Sequence, residues 1–252
     1  KMENVRSNKM ENDSEIGTDI NEEQKVRLII SDPIFGLISL LERTMHEGSY
    51  SKRQREMKEK GNIETYLHLA EILQKEILQG NVDYSDPEPN PARELLFKPL
   101  APKEISVDIP VASSMVKELS PLVLYLKYLA DKRNLLVIDE PEMNLHPEAQ
   151  AKLIEFIVML VNSGIQVIIT THSPYIVDHL INLMKAASLE NIEAIKNKFY
   201  LRDSNAFISK DNVSVYLFAD GTAKSILEED RFIEWETFNQ VSQKILDLRM
   251  EL

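Results

Sequence analysis

Two short apolar runs constrain this chain most, because each ends abruptly in residues that can do chemistry. Leu135-Leu136-Val137-Ile138 leads directly into Asp139-Glu140-Pro141-Glu142, and Gln166 to Thr170 leads into Thr171-His172-Ser173-Pro174. Four consecutive apolar residues without polar alternation are what a strand covered on both faces of a parallel sheet requires. Open α/β sheets bind ligands beyond the carboxyl ends of such strands, which is where Asp139 and Glu140 fall. Successive side chains in extended backbone point opposite ways. One carboxylate can therefore face a hydrated Mg²⁺ while the other faces an attacking water, a division of labour that suits phosphoryl transfer.

The text around these runs has the matching period. From Ser113 onward the pattern reads helix, strand, helix, strand, helix, which is a βαβ arrangement. The helix over 147–161 places Ala149, Leu153, Phe156, Ile157 and Leu160 on one face, and Gly164 closes it. Before it, Asn81 to Tyr84, Leu95 to Lys98 and Ile105 to Ile109 are short strand candidates between prolines 87, 89, 91, 99 and 102. Residues 62–79 show helical spacing through Ile63, Tyr66, Leu67, Ala70, Ile72 and Leu73. Residues 26–48 hold apolar stretches at 28–30 and 34–41, with Asp32 and Pro33 between them as a cap and first-turn pair. Downstream, Lys198 to Leu201 and Val213 to Phe218 read as strands, 219–221 as a turn and 229–250 as a helix. The division expected is a mobile polar segment over 1–25, a helical insert over 26–80 and an α/β lobe over 81–252.

The stretch Asp139 to Gln150, DEPEMNLHPEAQ, resembles the Walker B motif and D-loop of ABC-type ATPases, and Thr170 to Pro174 resembles their H-loop. This form is similar to the OLD-type and RecF-like subgroup. In that subgroup a serine-rich signature precedes Walker B, and Ala112-Ser113-Ser114-Met115 lies at a fitting distance upstream. Met115 stands where the family usually has glycine. The resemblance implies an α/β fold: the C-terminal lobe of an ABC-type P-loop ATPase, a parallel sheet with flanking helices, plus an N-terminal helical insert. It implies ATP and Mg²⁺ as cofactors. Glu140 would be the water-orienting base, Asp139 the Mg²⁺ carboxylate and His172 the γ-phosphate sensor. Ser113, Ser114, Asn144 and His146 would contribute nucleotide contacts, Ser113 from the opposing subunit of a homodimer formed through the ATPase heads.

The other half of such a site is a P-loop, GxxxxGK[ST], whose backbone amides and lysine hold the phosphates. The chain has seven glycines, and none is followed by lysine. The expectation is therefore a C-terminal part of a longer protein, inactive by itself for lack of Walker A. In the longer protein, ATP hydrolysis would drive a DNA-maintenance or phage-defence complex, with an effector protein as a further partner. A different class of function stays open: a non-catalytic interaction module derived from the ATPase lobe. An OLD-type nuclease is disfavoured, since its metal cluster needs a DxD pair that is missing from this sequence.

Composition narrows the setting. With no cysteine there is neither a disulfide framework nor a thiolate metal site. A formal net charge of −12 gives no support to a broad nucleic-acid-binding face. The basic residues Lys52, Arg53, Arg55, Lys58 and Lys60 are interleaved with Glu56 and Glu59, as on a solvated helix. No apolar run reaches the roughly 20 residues of a membrane span, so no membrane partner and a cytoplasmic location are expected.

Several residues carry a plainer alternative. Glu142 reads as a turn or helix-start charge, and His146, before Pro147, as a turn or capping residue or a dimer contact. Ser113 and Ser114 can simply cap a helix. Ser120-Pro121 is a second place where that helix could begin or kink. His46, His68 and His179 lie in amphipathic helical text and read as structural.

Overall fold

The structure is a computed structural model, and it describes residues 27–30, 62–85, 94–102, 105–228, 232–233 and 236–251. Its centre is a three-stranded parallel sheet, β1 (Arg27–Ile30), β5 (Leu135–Ile138) and β6 (Gln166–Ile169), in the order β1-β5-β6. The register pairs Arg27 with Leu135 and Ile30 with Ile138, then Leu135 with Gln166 and Ile138 with Ile169. Parallel neighbours need a long crossover. Helix α3 (Pro147–Asn162) supplies the one from β5 to β6.

Two further helices complete the core. Helix α1 (Asn62–Ile72) continues as a π-helical turn over Leu73–Leu78, and α2 (Ser114–Tyr128) precedes β5. Tyr66, Leu73, Leu124, Tyr125, Leu126, Leu136, Phe156 and Leu160 are almost wholly inaccessible where these helices meet the sheet. Each such side chain contributes about 1.5–3 kcal/mol by leaving water. In β5, Leu136 and Ile138 are buried, whereas Leu135 and Val137 are only half-covered. The apolar run thus serves one fully buried face and one partly covered face.

A second sheet, antiparallel in the order β2-β3-β4, joins β2 (Gly80–Tyr84), β3 (Leu95–Pro99) and β4 (Val107–Asp108). It is tied to the π-turn by buried Gln74, whose Oε1 accepts from Val82 N at 2.8 Å. Gly80 is required here: a Cβ would sit 2.3 Å from the Phe97 ring and 2.8 Å from the Lys98 carbonyl oxygen. Beyond β6 come α4 (Pro174–Ala187), the single turn α5 (Ile192–Ile195), the hairpin β7 (Tyr216–Ala219) and β8 (Thr222–Ser225), and the short pair β9 (Leu227–Glu228) and β10 (Phe232–Ile233). Helix α6 (Glu236–Glu251) ends the described chain.

The structure departs from the sequence expectations at six places. Residues 27–30, expected at the start of a helical insert, form the edge strand of the central sheet. Ile105 to Ile109 is extended and ladder-paired only at Val107–Asp108, then tightens into a 3₁₀ turn over Ile109–Val111; Pro110 in that turn has no N–H to donate to a ladder. Lys198 to Leu201 is not a strand, because the amides of Tyr200 and Leu201 donate to the carboxylate of Glu155 instead of to a ladder. The strand expected over 213–218 begins only at Tyr216, and the C-terminal helix begins at Glu236, after the β9–β10 pair. Helix α2 starts at Ser114 and runs through Pro121 without restarting at Ser120. There the Ser120 hydroxyl donates to the carbonyl of Val116. The polar segment over 1–25, the Asp32-Pro33 pair and the basic cluster over 52–60 lie outside the described residues.

Candidate functional site

The carboxyl ends of β5 and β6 lie side by side because Ile138 pairs with Ile169, so the residues that follow them meet. Thr170 joins the two ends: its N donates to the Ile138 carbonyl at 3.2 Å and its hydroxyl donates to Asp139 Oδ1. The same hydroxyl accepts from Glu140 N at 3.1 Å. Glu140 holds a left-handed φ of 42°, which turns the chain sharply off the strand. Its Oε1 lies 3.4 Å from His172 Nε2, and that imidazole is 87% exposed. Asp139 and Glu140 thus face different partners, because the left-handed turn at Glu140 carries its carboxylate to His172 while Asp139 stays at Thr170.

A second set of contacts fixes the two loops to each other. Glu142 is 8% exposed, and its Oε1 accepts from Thr171 Oγ1 at 2.6 Å and from His172 N at 2.9 Å. Among the described residues its Oε2 has no hydrogen-bond partner. Thr171 Oγ1 accepts in turn from Ser173 N at 3.0 Å. The Ser173 hydroxyl donates to Gln150 Oε1 and caps α4 by accepting from Ile176 N at 3.3 Å. Gln150 Nε2 returns to the Leu145 carbonyl at 2.8 Å. The loop after β5 and the loop after β6 are therefore one hydrogen-bonded unit, with His172 at its exposed tip.

Helix α2 closes the remaining side. Ser113 is its N-cap, accepting from Val116 N at 3.4 Å, and Ser113 and Ser114 are both exposed. One turn further on, Glu118 Oε1 accepts from Asn144 Nδ2 at 2.7 Å, with Asn144 in the left-handed region at φ 61°. Met115 is half-buried against the core, so its bulk is not all presented outward. Between α2 and the end of β5 lies a small cavity of about 80 Å³, lined by Glu118, Leu122, Asp139, Glu140 and Met143 among others. His146 is exposed and caps α3, its Nδ1 accepting from Glu148 N at 3.5 Å.

Asp139, Glu140 and His172 are thus brought together, and Asn144 is joined to them through the loop. Ser113 and Ser114 stand at the start of the helix that borders the cavity. Glu142 lies in a turn and not at a helix start, where it is a buried acceptor linking the two loops. Glu118 was not singled out in the sequence, and Thr170 and Gln150 entered only as members of the two motifs, with no role of their own. Only the spacing of Glu118, four residues after Ser114 on a helix, could have pointed to it.

Carboxylate and hydroxyl oxygens are hard donors that suit Mg²⁺, which takes one or two protein carboxylates and leaves its other positions to water and phosphates. Among the described residues no group of three or more His, Cys, Asp or Glu is placed to hold a metal by itself. The oxygen set at Asp139 and Thr170 fits an ion completed by a phosphate ligand. No helix among the described residues is long and apolar enough to cross a membrane.

Comparison with known proteins places the chain in a family. The AAA ATPase domain family matches residues 1–177, which include both loops. The chain belongs to that family. The family is one of ATPases, and ATP with Mg²⁺ is what it implies as cofactors. Among solved structures, one similar chain comes from work on "ATP-driven dimerization and DNA stimulated activation of SMC ATPases". It is 15% identical, with a TM-score of 0.42, over 77% of this chain and 96% of that one. No curated protein matches the chain.

Proposed function

We propose that this chain supplies the hydrolytic half of an ABC-type ATPase head that closes around ATP against a second head, in the manner of the OLD-like subgroup. The observation that carries the reading is the separation of Asp139, bound to the Thr170 hydroxyl, from Glu140, which lies at His172. Asp139 and Thr170 would hold Mg²⁺, and the ion supplies charge neutralisation on the phosphates. Glu140 orients the attacking water and accepts its proton. His172 contacts the γ-phosphate from a tip that Glu142 fixes through its amide. Asn144 and His146 lie on the loop that would face the opposing head.

The phosphate-gripping loop is not among these 252 residues, since no glycine is followed by lysine. We therefore assign it to sequence outside this chain, and activity to the protein that carries both parts. Ser113 and the amides of Ser114 and Met115, in the first turn of α2, offer a helix N-terminus to the γ-phosphate held by the second head. A complex that drives DNA maintenance or phage defence through an effector protein is the setting this reading favours.

The test is Ser113→Arg in the loop-bearing protein, with phosphate release and light scattering followed with and without ATP–Mg²⁺. Bulk and charge at the closing face are expected to abolish turnover. Normal hydrolysis by that variant would mean that Ser113 only caps a helix.

A further inference from the structure

Helix α6 is the part of the molecule that the site does not use. Its described side chains, residues 243–251, are all exposed, and they include Ile245 at 62%, Leu248 at 49% and Met250 at 86%. Large apolar groups left in water on one helix mark a surface that another molecule covers. In the sequence around them, Phe238, Val241, Ile245, Leu248 and Leu252 are spaced three, four, three and four apart, while Leu246 and Met250 lie off that line. That alternation is the a/d seam of a coiled coil.

We propose that α6 pairs antiparallel with α6 of a second copy of this chain. Charge beside the seam selects both occupant and direction. Lys244 and Glu251 share one flanking position of the heptad, and Ser242 and Arg249 share the other. A parallel pair would set Lys244 against Arg249 of the second copy, two like charges. An antiparallel pair sets Lys244 against Glu251 of the second copy, and the two-fold axis repeats that contact. In the same register Ile245 layers on Leu248 of the second copy. An anionic membrane surface is the poorer occupant, because the helix carries three acidic and only two basic residues.

Two heptads make a short seam, so the pair is weak and concentration-dependent. It owes nothing to nucleotide, which separates it from head closure around ATP. Its consequence is to hold two heads near each other before ATP arrives, which raises their effective concentration for closure.

The test is sedimentation equilibrium of this 252-residue chain without nucleotide. The expected result is a mass rising with concentration toward twice that of one chain. The double variant Ile245→Asp/Leu248→Asp, confined to exposed positions, should stay monomeric with an unchanged circular dichroism spectrum. Lys244→Glu should weaken the dimer by about tenfold as two attractive pairs become repulsive, and adding Glu251→Lys should restore it. A chain monomeric at every concentration, or dimeric only with ATP–Mg²⁺, overturns the proposal. Tighter association of Lys244→Glu would overturn the antiparallel direction.

Discussion

Replacing Glu142 by alanine should release the His172 loop while leaving the rest of the fold in place. The wild-type Oε1 accepts from Thr171 Oγ1 at 2.6 Å and from His172 N at 2.9 Å. Hydrogen bonds to a charged acceptor contribute about 1.5–3 kcal/mol each. Against this stands the cost of keeping a carboxylate at 8% exposure with Oε2 unpartnered, part of which the truncation relieves. The net local loss is therefore about 2–3 kcal/mol, smaller than the two bonds taken separately. Amide hydrogen exchange reads this directly. At about 1.4 kcal/mol per factor of ten, the His172 amide should exchange roughly 30–150 times faster in Glu142→Ala. Glu142→Gln keeps an acceptor for both donors and should keep most of the protection. Exchange at His172 within twofold of wild type in the alanine variant would show that Glu142 does not hold the loop.

Glu155 offers a parallel case away from the site. Its fully buried carboxylate accepts from the amides of Tyr200 at 3.0 Å and Leu201 at 2.7 Å, and Oε1 lies 2.8 Å from His179 Nε2. Glu155→Ala leaves these donors without their acceptor, so thermal unfolding should shift down by about 6–12 °C for a loss of about 3 kcal/mol; an unchanged midpoint would refute the pinning. Titration of ATP–Mg²⁺ into this chain should give no micromolar binding, because none of its glycines is followed by the lysine that a P-loop needs. Micromolar affinity as a monomer would contradict that assignment.

The sequence made the sheet and its strand ends readable because the signal there is local. The run Leu135 to Ile138 names β5, Gln166 to Ile169 names β6, and the periodicity of 147–161 falls within one residue of α3. Residues 27–30 were read with the apolar text that follows them, because β1 is defined by a partner more than 100 residues away. The segment 198–201 has strand-like composition, but its amides go to Glu155, which reads as one more polar position on a helix. Asp139, Glu140 and His172 stood out through their neighbours in the chain. Glu142, Glu118 and Thr170 did not, because their partners lie some 26–31 residues away along the chain and only the folded loops bring them together.

Turnover by Glu140→Gln in the loop-bearing protein tests the central claim most directly. Glutamine keeps the size of the side chain and removes the group that accepts the proton of the attacking water. A general base contributes about 10²–10⁴-fold. The account predicts phosphate release reduced by at least about a hundredfold, with ATP retained in a closed pair of heads. Hydrolysis at the wild-type rate would contradict the assignment of Glu140 and leave the lobe as an interaction module.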